Sequence, residues 1–519
     1  MAKKFFLVVV LVAFLVLPVN SIFCVGADGV KIGSEMLMDK YHHLIEGKKI
    51  GLVTNQSGVN SRKESTIDLL ANDRSTSLVA LFGPEHGIDG KAKAGEYVKS
   101  YTHEKLGIPV YSLYGQTRMP TGEMLKGLDA IVFDVQDIGA RTYTYISTLN
   151  YCLVAAQKYD KTVIVLDRPN PLGGNIVEGP VLEDKYTTFV GVDNLPMAHG
   201  MTIGELAQFF NRKIGADLKV VPMEGYKRPM LFPDTGLTWV QTSPNIPDLD
   251  SVYGYMATGL GEGTGIFQAD KFKWIGGKGL NAEKYAGILN KAGLPGVTFV
   301  PEQRGEAGGV RLKITDPYTF NPARTGIYAL AYAYMLGDFT VPKSNKDMVM
   351  FDKVMGTNKI GEYLEQGLSP QQIEKNYAPA LEKFKEERKK YLISDYELGP
   401  DDFTVLVEGR KVAFDSSPYI DKSDRLMVPL RAIAEALGAT VGWEPQTRTV
   451  TITGARGKIV FTIGSSSVLV DGKPKVMDTV PVIKNDRTMV PVRYVGEYLK
   501  ADVHWNAPLK TVTVNARSK

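Results

Sequence analysis

Glu85 and His86 stand together in the string FGPEHGIDG, directly after the apolar run LVALF, and pair an acid with an imidazole at the end of a strand-like segment. A carboxyl group in such a place suits general acid–base chemistry, which needs a proton donor within hydrogen-bond reach of the reacting atom. Pro84 stiffens the chain before Glu85 and Gly87 frees it after His86. His86 either orients Glu85, bonds a substrate hydroxyl, or only braces the loop. A second cluster, FDVQDIGAR, brings Asp134, Gln136, Asp137 and Arg141, and a third, LDRPNP, brings Asp167, Arg168 and Asn170. An arginine beside carboxylates can clamp a substrate carboxylate through paired N–H donors. Equally, Arg141 and Arg168 can form internal ion pairs with Asp137 or Asp167. Tyr143 and Tyr145 in RTYTYIS offer ring faces to a ligand or pack beneath a sheet. His199 precedes Thr202 and Glu205, a pair spaced as a capping box, and so ends a loop or faces a cleft; Asn245 sits in the turn string SPNIP.

These clusters share one placement. KIGLVTNQSG, SLVALFGPEHG, IPVYSLYG, DAIVFDVQDIGAR and TVIVLDRPNP each run from an apolar stretch into polar residues. Between them lie helix-like pieces, STIDLLAND, TGEMLKGL and a stretch near Leu149 to Tyr159. Such alternation predicts βαβ units and a Rossmann-like parallel sheet. In such sheets ligands bind outside the carboxyl ends of the strands, which is where all three clusters fall. No G-x-G-x-x-G follows the first strand and no G-x-x-x-x-G-K-[ST] occurs, so nucleotide binding is disfavoured. The six histidines show no metal-ligand spacing, and no metal or other cofactor is expected.

A chain of 519 residues is too long for one ordinary domain. Its formal net charge of +4, two less without Lys3 and Lys4, is no signature of nucleic-acid binding. Residues 1–27 read as a signal peptide: two lysines, an apolar run from Phe5 to Leu17, and a small-residue exit at Val25-Gly26-Ala27. The run is short for a membrane span, and a lipid anchor at Cys24 is the lesser alternative. Cleavage after Ala27 leaves Cys152 as the single thiol, so no internal disulfide is expected. The expectation is a bacterial, extracytoplasmic chain, secreted or associated with the cell wall.

The reading divides the remainder into residues 34–177, a Rossmann-like subdomain; 178–398, an α+β subdomain facing it across a cleft; and 402–517, a repeat module. Pro379 is expected to break or kink the charged helix from Ser369 to Tyr396. In the module, RLMVPLRAIAEALGATVGWEPQTRTVTI from Arg425 returns as RTMVPVRYVGEYLKADVHWNAPLKTVTV from Arg487. Pro429/Pro491, Arg431/Arg493, Glu435/Glu497, Trp443/Trp505 and Thr449/Thr511 hold register without a gap, predicting a duplicated strand–helix–hairpin unit.

The module resembles the copper amine oxidase N-terminal-like domain, although one histidine, His504, and no cysteine give copper nothing to bind. The region from Ser34 to Tyr396 resembles the peptidoglycan exo-β-N-acetylmuramidase family through GLVTNQSGV, ALFGPEHGIDG, FDVQDIGARTYTYISTLNY, VLDRPNPLGG, VEGPVL and DTGLTWVQTSPNIP. That resemblance implies an exported glycosidase releasing β-linked N-acetylmuramic acid from the non-reducing ends of peptidoglycan fragments, with Glu85 catalytic on a mobile loop. It implies peptidoglycan or muropeptide-derived glycans as partners, and wall association through the module. A second carboxylate, from Asp134, Asp137 or Asp167, or the substrate's own acetamido group, would complete the reaction. The chain departs from the family after Glu262-Gly263-Thr264, where a GRGT-containing loop is missing, and at Thr242, where proline is common. Two alternatives follow from that departure: a wall-glycan binding protein without turnover, and a hexosaminidase of altered specificity.

Overall fold

The computed structural model describes residues 29–517 apart from 338 and 456; the expected leader, 1–27, and Cys24 lie outside the described residues. Seven strands form the first sheet: β1 (Lys49–Thr54), β2 (Ser77–Gly83), β3 (Tyr101–Thr102), β4 (Pro109–Ser112), β5 (Ala130–Asp134), β6 (Thr162–Leu166) and β7 (Asp217–Val221). Their order is β3-β4-β2-β1-β5-β6-β7, parallel throughout except for β3. Strands β1, β5 and β6 are apolar and almost wholly buried because helices cover both faces. Helices α1 (Gly33–Asp39) and α2 (Thr66–Asn72) pack on one side; α3 (Tyr145–Lys158) and α4 (Ile203–Ile214) pack on the other. The Rossmann-like expectation is met, with two adjustments. The sheet extends through β7, past the boundary expected at 177, and TGEMLKGL forms turns rather than a helix. Its Gly127, at φ 77, takes the left-handed region three residues ahead of β5.

Beyond the sheet, helix α5 (Leu249–Thr258) leads into an antiparallel sheet of β8 (Ile266–Ala269), β9 (Trp274–Lys278), β10 (Val297–Arg304) and β11 (Ala307–Ile314), in the order β10-β11-β9-β8. Helices α6 (Ala282–Lys291), α7 (Pro322–Leu336), α8 (Met350–Met355), α9 (Lys359–Glu365) and α10 (Pro370–Arg388) complete this part. Pro379 lies inside α10 without ending it. One continuous apolar core runs from Val53 to Phe384, so the two subdomains fold against each other rather than as separate bodies. Cys152 is buried in that core on α3. Among the described residues no helix is long and apolar enough to cross a membrane.

The repeat module has a core of its own. The first repeat supplies β15 (Leu426–Pro429), α11 (Leu430–Ala436), β16 (Thr440–Glu444) and β17 (Thr449–Gly454). Between β11 and β15 the module adds β12 (Thr404–Val407), β13 (Arg410–Lys411) and β14 (Tyr419–Ile420). Linking the repeats are β18 (Gly457–Thr462), β19 (Ser467–Val470), β20 (Lys473–Val476) and β21 (Val482–Lys484). The second repeat supplies β22 (Arg487–Pro491), α12 (Val492–Tyr498), β23 (Ala501–Asn506) and β24 (Thr511–Ala516), each at its predicted register. Strands β15 and β22 pair antiparallel with Val428 opposite its repeat counterpart Val490, and Met427 opposite Pro491 mirrors Pro429 opposite Met489, so a pseudo-two-fold axis passes between them. Strand β24 of the second repeat pairs with β12, ahead of the first repeat, so the two halves are interwoven.

Candidate active site

Strand order reverses at β1, with β2 on one side and β5 on the other, which opens a crevice beyond their carboxyl ends. A cleft of about 760 Å³ lies there, between the parallel sheet and the second subdomain. Glu85, two residues past β2, lines it with His86. The opposite wall is formed by Leu260 to Gln268, and Met350 and Val354 of α8 contribute from the side.

Glu85 is only 8% exposed, and both its carboxyl oxygens are engaged. Oε1 accepts the Gly95 N–H at 3.0 Å, and Oε2 bonds the Thr144 hydroxyl. Gly95 sits at φ 76, a left-handed conformation that glycine adopts without a side-chain clash. Thr144 is the residue immediately before α3, so the helix start fixes its hydroxyl. A hydroxyl can donate to a carboxylate and accept from a carboxylic acid, so Thr144 satisfies Glu85 in either protonation state. His86 is itself at φ 72, and its Nδ1 lies 2.7 Å from the Ala92 carbonyl oxygen. Only a protonated Nδ1 can donate to that acceptor, which leaves Nε2 with the lone pair when the ring is neutral. His86 therefore braces the Glu85 loop through Nδ1 while its other face lines the cleft.

Aromatic rings floor the site. Tyr143 meets Tyr145 edge-on at 4.9 Å and Tyr255 at 5.8 Å, and the Tyr143 hydroxyl donates to Thr242 Oγ1 at 2.8 Å. Thr242, at the position where proline was expected, thus has a structural use for its hydroxyl. Burial raises the Tyr255 phenol to about 12, with Glu85 and Glu262 adding to the rise. Burial, then Glu85, likewise raises Tyr114 on the cleft wall. These hydroxyls stay protonated at neutral pH.

Of the residues expected at the site, Glu85, His86, Tyr143 and Asn245 line the cleft. The others are held elsewhere. Asp134 and Arg168 are buried and pair with each other, Nη2 lying 2.9 Å from Oδ2, rather than with Asp137 or Asp167 or a substrate. Gln136 donates to the carbonyls of Asp137 and Pro169, both at 2.8 Å, tying the ends of β5 and β6. Arg141 is fully buried and donates to the carbonyls of Pro180, Leu195 and Val354, so it is no clamp for a substrate carboxylate. Burial lowers its guanidinium to about 9. Asp167 accepts from Gly204 N–H, the Thr202 hydroxyl and the Tyr396 hydroxyl. Burial outweighs these donors and raises its carboxyl to about 7. Asn170 closes a turn through Leu172 N–H and donates to the Met201 carbonyl. His199 is buried and accepts from Met201 N–H, with its Nε2 3.6 Å from Asp137 Oδ2; neither residue lines the cleft. The capping box of Thr202 and Glu205 forms as expected.

Sequence reasoning missed Thr144, Tyr114, Tyr255 and Ser243 as site residues. Thr144 was hidden between two tyrosines, although its place ahead of a helix was a usable signal. Glu262 is the second carboxylate on the cleft wall, exposed between Gly261 and Gly263. Asp134, Asp137 and Asp167, the expected sources of a second carboxylate, do not line the cleft. The segment from 262 to 279, where the GRGT loop is missing, begins on this wall. Among the described residues no three His, Cys, Asp or Glu side chains gather to hold a metal ion, so the module's copper-linked resemblance has no matching donor set.

Residues 50–250 match the model "Exo-beta-N-acetylmuramidase NamZ, N-terminal" and residues 253–393 its C-terminal counterpart; residues 406–514 match "Copper amine oxidase N-terminal domain". Over 381 residues the chain is 44% identical to the peptidoglycan beta-N-acetylmuramidase NamZ of Bacillus subtilis strain 168, covering 70% of this chain and 91% of that protein. A crystal structure of a DUF1343 family protein from Bacteroides fragilis NCTC 9343 superposes with a TM-score of 0.63 at 36% identity, covering 70% of this chain and 98% of that one. A second DUF1343 protein from the same organism gives 0.53 at 25% identity, covering 72% and 100%.

Proposed function

Because this chain belongs to the exo-β-N-acetylmuramidase NamZ family, and is with it a glycoside hydrolase, we propose that it removes β-linked N-acetylmuramic acid from the non-reducing ends of peptidoglycan fragments, with Glu85 as general acid. The observation that carries the assignment is Glu85 itself: a carboxyl group inside the cleft, withdrawn from bulk water and fixed by Gly95 and Thr144. Cleaving the glycosidic bond sends its electron pair to the leaving oxygen, and a proton from Glu85 neutralises the charge that develops there. Tyr143 and Tyr255 present ring edges and faces to the sugar, and Asn245 and Ser243 offer polar contacts to its acetamido and hydroxyl groups. The anomeric carbon is then met either by water or by the substrate's acetamido oxygen, with Glu262 the other carboxylate on the wall.

Release of chromophore from a β-N-acetylmuramide tests this. Glu85→Gln is expected to lower kcat by about 10²–10⁴. Equal rates in the two proteins would remove Glu85 from the reaction. A panel of chromogenic hexosaminides separates this specificity from that for a related amino sugar, which the altered segment after Thr264 could support. Glycan binding with no product by mass spectrometry would favour a binding protein without turnover.

The site of action is the bacterial cell envelope, in wall turnover and recycling, supported by the leader-like composition of residues 1–27 and by cysteine poverty. Expression with an intact amino terminus is expected to yield an extracytoplasmic protein whose first residue is Asp28. Retention of Met1 on a cytoplasmic product would refute export. The repeat module holds the enzyme near the wall.

A further inference from the structure

The duplication in the repeat module produces two clefts rather than one. The first, about 560 Å³, is lined by Arg425 and Leu426 from the first repeat and by Arg493 and Trp505 from the second. The other, about 890 Å³, is lined by Arg487 and Thr488 from the second repeat and by Arg431 and Trp443 from the first. Arg425 and Arg487, Leu426 and Thr488, Arg493 and Arg431, and Trp505 and Trp443 are repeat counterparts that take the same places in the two clefts, as the pseudo-two-fold axis through Val428 and Val490 requires. Neither cleft exists in a single repeat.

The two copies have drifted, and what they keep falls into two groups. Buried identities such as Val428/Val490 and Val450/Val512 are explained by the core. Exposed identities are not. Trp443 and Trp505 are 41% and 43% exposed, yet both copies keep them. Both copies also keep the arginines, each anchored by an acid although the acids are not in register: Arg425 by Asp478 and Arg487 by Asp415, at 2.5 and 2.6 Å. On the helices, Arg431 and Arg493 stand beside Glu435 and Glu497. Each helix arginine spends one nitrogen on its glutamate and retains further N–H donors for an acceptor in the cleft.

We propose that these are twin glycan-binding sites, each stacking a pyranose ring on Trp443 or Trp505 and bonding a carboxylate carried on the strand through Arg431 or Arg493. An indole face suits the C–H face of a sugar, and guanidinium forms charge-assisted bonds to carboxylate. Two equivalent sites fit a ligand that is itself a repeat, and a glycan strand is one. The identity of that strand as peptidoglycan rests on the proposed function above; the sites themselves do not. Engaging both at once raises apparent affinity by far more than twofold, because the second event is intramolecular.

The test is co-sedimentation of the intact chain with insoluble peptidoglycan stripped of secondary polymers, whose long strands offer far more internal sugars than non-reducing ends for the catalytic cleft. Trp443→Ala and Trp505→Ala are each expected to weaken binding about tenfold or more, and the double variant to remain in the supernatant. Trp443→Phe, which keeps a ring, should largely restore the single variant. Hydrolysis of the small chromogenic muramide should be the same in all of them, and thermal unfolding should show the module intact. A double variant that sediments as wild type overturns the proposal, as does a wild-type dimer by light scattering that the double variant abolishes, since the tryptophans would then be a self-association surface. Loss of muramide hydrolysis with retained, tryptophan-dependent sedimentation would refute the catalytic reading and leave this one standing.

Discussion

Asp167 shows how a residue can look functional in the sequence and be structural in the fold. Its strand-end position and its neighbour Arg168 suggested a cleft, yet it is buried under Tyr396 and Thr202. Its folded carboxyl titrates near 7, above the usual carboxylate value of 3.8. A group raised in this way contributes stability that is full below about pH 4 and lost as pH rises through 7. Wild-type unfolding free energy is therefore expected to fall by a few kcal/mol between pH 4 and 8 relative to Asp167→Asn, measured by denaturant titration. Parallel pH profiles for the two proteins would contradict the assignment. Glu85 differs in kind, because its surroundings are the cleft itself and its partners, Gly95 and Thr144, position it rather than bury it away. Both acids follow a strand, and only packing separates them. Strand-end placement was legible in the sequence; which side chains turn inward was not, because that depends on Tyr396, more than 200 residues distant in the chain.

At the scale of elements, Arg141 is the clearest case. It binds carbonyls at 180, 195 and 354, and so ties α8 to the loops beside the first sheet. Val354 in turn lines the cleft. Arg141→Met would leave these buried acceptors unsatisfied and is expected to destabilise the protein by about 3 kcal/mol, read as a lower denaturation midpoint, with KM raised as α8 loosens. An arginine that only held a substrate carboxylate would raise KM and leave the midpoint unchanged. The elements themselves were readable: β1, β2, β4, β5 and β6 fall where apolar runs meet polar clusters, and Thr202 with Glu205 announced α4. β7 escaped because DLKVV is half polar on a sheet edge, and TGEMLKGL failed as a helix where Gly127 turns the backbone into the left-handed region and only Leu125 and Leu128 are buried. Pro379 did not end α10 because Tyr377, Leu381 and Phe384 anchor that helix by burial on both sides of it.

Over the whole molecule, one shared core makes a single catalytic body of two subdomains, and the repeat module packs around a core of its own. The repeat was legible to the residue, since β15 through β17 and β22 through β24 keep one offset. Its interweaving was not, because sequence similarity says which halves match and not which strands pair. A strand that faces its own counterpart across a dyad presents a self-complementary edge. One half of this module, produced alone, would thus carry an unsatisfied edge that another identical half can complete. Such a fragment is expected to form a homodimer by sedimentation equilibrium, reproducing between two polypeptides the arrangement that gene duplication later joined into one; a stable monomer would argue against that origin.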